Sequence, residues 1–190
     1  MNMKWLRLAG PFLLIVALAG CGSSGDDDTT ITGTIDLSFE NGAAVLHADG
    51  QPDAQITAAG GFSIDGKPVA LTAAQRDLFR QYYADAGQIR NQGIATGKAG
   101  AALAGHAIGE VVSGLAHGDP DKIGPAIEAK AGTVTAQAAR MCDTLDQLRT
   151  VQDTLSGQLD AFRPYATLTA DKVAQCHKGT DQAARSLAGH

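Results

Sequence analysis

Four side chains in the middle of the chain have the types and spacing that chemistry uses. His106 and Glu110 stand at i and i+4, and Ser113 and His117 continue the same line along what reads as a helix. A histidine and a carboxylate one turn apart can share a metal ion, but a catalytic zinc site wants three protein ligands and an open position. His117 lies three turns beyond His106 and cannot join the same ion unaided. Metal binding through His106, Glu110 and His117 is therefore the weak alternative, and a solvated helix face is the expectation. No serine stands in a GxSxG elbow, and no catalytic residue set or cofactor is predicted.

The line runs through "GIATGKAGAALAGHAIGEVVSGLAHG", residues 93–118, which holds seven glycines and seven alanines. Gly93, Gly97 and Lys98 imitate part of a phosphate loop. That motif needs four residues between its glycines and a Ser or Thr after the lysine, whereas three intervene here and Ala99 follows. A membrane span is disfavoured by Lys98, His106 and Glu110, since no stretch approaches eighteen uncharged apolar residues. A membrane-active helix remains as an alternative. Projected at 100° per residue, Gly93, Gly97, Gly100 and Ala104 share a face with Ile108, Val111 and Leu115. The prediction is close helix packing over Gly93, Gly97, Gly100 and Ala104, against the heptad helix of the same chain or against a partner.

Three cysteines carry further chemistry. Cys21 follows Leu18, Ala19 and Gly20 at the end of an apolar stretch that begins at Leu8, behind Lys4 and Arg7. This is a secretory signal, and its end resembles the lipobox of bacterial lipoproteins. Residues 1–20 are then a lipoprotein signal peptide cut before a lipidated, palmitate-bearing Cys21. Gly22 in place of aspartate favours the outer membrane by the same resemblance, facing the periplasm. Acyl chains contribute about 0.8 kcal/mol per buried methylene, enough in combination for stable anchoring. Cys142 and Cys176 remain, in a compartment that permits disulfides. A Cys142 to Cys176 bridge is expected, with a reactive or metal-bound pair as the alternative.

Cleavage removes two cations and no acid, which moves the formal charge from −5 to −7. Such a surface repels nucleic acid. Residues 21–30 form an acidic tether reaching on the order of 17 Å. Residues 31–71 alternate apolar and polar positions between Asn41-Gly42, Asp49-Gly50, Gly60-Gly61 and Asp65-Gly66. Those pairs suit tight hairpins, so a β-meander of four or five short strands is predicted.

Residues 72–190 form a helical region on the same domain. Thr72 caps a first helix with Gln75, its stripe running through Leu78, Tyr82, Ala86 and Ile89. A second helix of about forty residues follows from a heptad seam between Ile127 and Phe162, broken only by Gln152 and ended by Pro164. Thr169 starts a third, which points Cys176 at the core.

The stretch "GGFSIDGKPVALTAAQRDLFRQYY", Gly60 to Tyr83, resembles the YggN family of uncharacterised proteobacterial periplasmic proteins. The resemblance implies secretion and offers no catalytic residues to carry over. The expectation is an α+β envelope lipoprotein with a structural, assembly or binding role. Its contacts would be the membrane through Cys21 and an envelope partner or a second copy.

Overall fold

The computed structural model describes residues 36–117 and 123–188, and for residues 106–108, 110–117 and 123–127 the backbone alone. Residues 31–35 of the predicted meander, the tether and Cys21 lie outside these residues. Five strands come first, β1 (Leu37–Glu40), β2 (Ala43–Leu46), β3 (Ala54–Thr57), β4 (Phe62–Ile64) and β5 (Lys67–Pro68). They form one antiparallel sheet in chain order. The two tightest hairpins turn on Asn41-Gly42 and Asp65-Gly66, where all four residues have positive φ. That is the geometry in which the turn's twist matches the strands.

Gly60 is required for a different reason. Its φ is +77°, and a Cβ there would lie 2.3 Å from the Arg76 carbonyl oxygen. The β3–β4 turn therefore touches the first turn of the helix that follows.

That helix, α1 (Ala73–His117), opens with the predicted capping box. The Thr72 amide donates to Gln75 Oε1 at 2.9 Å, and the Gln75 amide to Thr72 Oγ1 at 3.2 Å. It continues unbroken past Gly87 and Gly93. α2 (Ile123–Gln158) runs back antiparallel, in a register fixed where Gln88 Nε2 donates to Thr144 Oγ1 at 3.3 Å. The heptad seam thus meets α1 of its own chain.

α2 stops at Gln158 rather than at Pro164, which corrects the predicted length. Leu159 is extended, with φ −142° and ψ 101°, and Asp160–Tyr165 is a 3-10 turn containing Pro164. This break turns Phe162 into the core instead of leaving it on the helix seam. Thr169 then caps α3 (Ala170–Ala188), its Oγ1 accepting from the Lys172 amide at 3.3 Å.

One core joins the sheet's inner face to both long helices and the 3-10 turn. Phe62 stacks on Phe79 with centroids 4.7 Å apart, and Phe162 meets the edges of Phe62, Phe79 and Tyr82 at 5.4 to 5.8 Å. Burial pushes the Tyr82 phenol far up from its ordinary range. Gln152, the one break in the heptad seam, is fully buried. Its amide nitrogen donates to the Leu168 carbonyl at 2.8 Å, and its oxygen accepts from the Leu168 amide at 3.0 Å. A leucine there would leave two buried backbone groups unpaired, each costing about 1–3 kcal/mol.

The core has a sharp end. Among the described side chains, none beyond Ile89 on α1 and none before Cys142 on α2 is buried. α1 nevertheless continues for about 40 Å at 1.5 Å per residue. The molecule is a packed base carrying a long helical arm.

Candidate functional site

Cys142 and Cys176 form the predicted bridge, with Cα atoms 5.7 Å apart. It pins α3 to α2 at the level where the core ends. The side chains of His106, Glu110 and His117, the weak metal candidates, lie outside the described residues. Among the described residues no three His, Cys, Asp or Glu side chains are grouped to hold a metal, and no helix is long and apolar enough to cross a membrane.

The prediction that this face packs against the heptad helix of the same chain needs correction. Gly97 and Ala104 are exposed, Gly93 and Gly100 are half-buried, and a Cβ at any of the three glycines would meet nothing within 4 Å. The phase of α1 is set at its base, where Phe79, Tyr82, Ala86 and Ile89 are buried. Steps of three and four from Ile89 lead to Gln92, Thr96, Ala99 and Leu103, all half-buried. The glycine row flanks this line. Along the line Gln92 Oε1 and Thr96 Oγ1 are buried without a protein partner, as is Gln137 Oε1 on α2. The arm is held by small and polar contacts, the composition of a segment that opens before the base does.

It follows that alanine at Gly93, Gly97 and Gly100 strengthens the arm, by up to about 1 kcal/mol per site from helix propensity. Amide exchange across residues 90–105 should slow at least about tenfold in the triple variant. Faster exchange would mean that the face is packed after all.

The described residues bring together a second constellation, which the sequence analysis missed. β1 and β2 pair Leu37 with Leu46, and β2 and β3 pair Leu46 with Ala54. Leu37, Leu46 and Ala54 face the core, so Ser38, His47 and Asp53 fall on the opposite face, on three adjacent strand paths. Ser38 Oγ lies 3.1 Å from His47 Nε2, and His47 Nδ1 donates to Asp53 Oδ1 at 2.8 Å. The His47 side chain is 37% exposed and that of Asp53 62%. Ser38 is 2% exposed, and its hydroxyl donates to Glu40 Oε1 at 2.9 Å.

Backbone contacts hold the line in place. The His47 amide donates to the Asp36 carbonyl at 3.0 Å. The Tyr165 hydroxyl donates to the Pro52 carbonyl at 2.7 Å, fixing the residue before Asp53. Burial, and then the Asp53 charge, push the Tyr165 phenol up. A serine, an imidazole and a carboxylate joined in this order form a path along which a hydroxyl proton can move to nitrogen. The available signal was the hairpin register, which puts Ser38 and His47 diagonally opposite once Asn41-Gly42 is taken as the turn.

Two grooves lie among the described residues. Between α2 and α3, beyond the disulfide, a cleft of about 410 Å³ is lined by Gly132, Thr135, Ala136, Ala139, Ala184 and Leu187 among others. Along α1 a shallower one of about 510 Å³ is lined by Tyr83, Gln88, Asn91 and Gln92 with their small neighbours. Asp85, near the base of α1, has Oδ2 buried without a protein partner, and burial pushes its carboxyl up from the ordinary range.

These features define an α+β protein, a five-stranded meander packed on a long helical hairpin with a disulfide-pinned third helix. Residues 31–123 match the family model described as "Protein of unknown function (DUF2884)". The match takes in the whole sheet and α1 and ends at the first residue of α2. No curated protein and no solved structure gives a match.

Proposed function

We propose that this chain is a lipid-anchored protein of the cell envelope, of the YggN-like kind, with a structural, assembly or partner-binding role. It is held to the outer membrane by acyl chains on Cys21 and faces the periplasm. The observation that carries the reading is the Cys142 to Cys176 bridge, because such bridges persist in oxidising compartments and are rare in the cytosol. The Leu18-Ala19-Gly20-Cys21 sequence behind an apolar stretch with two leading cations supports the anchor. A tether without apolar side chains between Gly22 and Thr30 supports a domain that stands off the membrane.

The arm supports the binding role. A helical hairpin that continues far past its core offers surface rather than stability, and the acidic balance of the chain disfavours nucleic acid as its partner. Fractionation of cells that express the full chain tests the proposal. The protein should sediment with the outer membrane, and Cys21→Ala should abolish that association. Sedimentation unchanged by Cys21→Ala, or a protein recovered from the cytosol, would overturn it.

A further inference from the structure

Ser38, His47 and Asp53 stand in the order and at the distances of an acyl-transfer relay, and Glu40 competes for the one proton such a relay moves. The Ser38 hydroxyl has a single hydrogen and two acceptors within reach, Glu40 Oε1 at 2.9 Å and His47 Nε2 at 3.1 Å. While the hydrogen goes to Glu40, Ser38 cannot pass it to His47. Glu40 is the exposed last residue of β1, beside the Asn41-Gly42 turn. It can swing away without disturbing the sheet. His47 cannot, because its Nδ1 proton is held by Asp53 at 2.8 Å.

We infer that Ser38 is a latent nucleophile toward small acyl esters, with His47 as its base, Asp53 as the positioning carboxylate and Glu40 as the gate. With Glu40 displaced, the hydroxyl proton goes to His47 Nε2 as Ser38 Oγ bonds to the ester carbonyl carbon. The C–O bond to the alcohol breaks, and the alkoxide leaves with the proton from Nε2. Water then attacks the acyl carbon and gives a proton to Nε2. The acid departs, and Oγ recovers that proton. Asp53 accepts the Nδ1–H bond throughout and takes no proton, which keeps Nε2 aimed at Ser38. The His47 side chain is 37% exposed but Ser38 only 2%, which limits the electrophile to a small, slender group.

The test is labelling of the folded full chain with a small alkyl fluorophosphonate, located by peptide mass mapping. Labelling forms an Oγ–P bond and releases fluoride. Slow stoichiometric labelling of Ser38 is expected, at least about tenfold faster in Glu40→Ala and about 100-fold slower in His47→Gln, the loss expected of a general base. Thermal melts within a few degrees of the parent chain show that each variant is folded. If folded Glu40→Ala takes no label at Ser38, or takes it equally well with His47→Gln added, Ser38, His47 and Glu40 form only a structural network.

Discussion

Replacing Phe162 with alanine lowers the stability of the fold by about 3–5 kcal/mol, the range for deleting a fully buried ring. Phe162 is 0% exposed and touches the edges of three rings drawn from β4 and α1. Edge-to-face pairs contribute about 0.5–1.5 kcal/mol each beyond area burial, so the loss belongs in the upper part of the range. The cavity cannot close easily, because Pro164 and the extended Leu159 fix the backbone on either side. Denaturant unfolding checks this, with a lower midpoint and an unchanged slope. Phe162→Leu should lose less than half as much, since leucine refills most of the volume.

The second large effect is at the disulfide. A chain with serine at both Cys142 and Cys176 should be about 3–4 kcal/mol less stable, the loop-closure value for a separation of 34 residues. The loss concentrates in α3. Val173 is the only buried residue of that helix, and from Lys178 onward all but Thr180 and Leu187 are exposed. Without the bridge, α3 is held by Val173 and, at its entry, by the Gln152 clamp on Leu168. Hydrogen exchange should show residues 177–188 exchanging freely while the sheet keeps its protection. Uniform loss across the chain would mean that α3 and the base unfold together.

What was legible in the sequence was local. The Thr72 and Gln75 reciprocal cap, the two hairpins on Asn41-Gly42 and Asp65-Gly66, and the inward Cys176 each depend on residues a few positions apart, and each is present. Gln152 was visible as a fault in the heptads, but its reason lies sixteen residues away at Leu168. The α2 terminus was misjudged because proline is the obvious breaker, whereas the helix yields earlier so that Phe162 can enter the aromatic cluster.

As a packing face within the chain, the glycine row failed through phase. A projection over residues 93–118 alone centred the small residues, while the half-buried line that continues from Phe79, Tyr82, Ala86 and Ile89 passes beside them. The line of Ser38, His47 and Asp53 was hidden for a related reason. Its members share a face only after two strand registers are known, and no spacing along one element reveals that.

The most direct measurement of the envelope proposal is a non-reducing digest of the mature protein taken from cells and read by mass spectrometry. An acylated N-terminal peptide beginning at Cys21 is expected, with Cys142 and Cys176 recovered in one linked pair. An unmodified Cys21, together with Cys142 and Cys176 recovered as free thiols, would contradict both the anchor and the compartment.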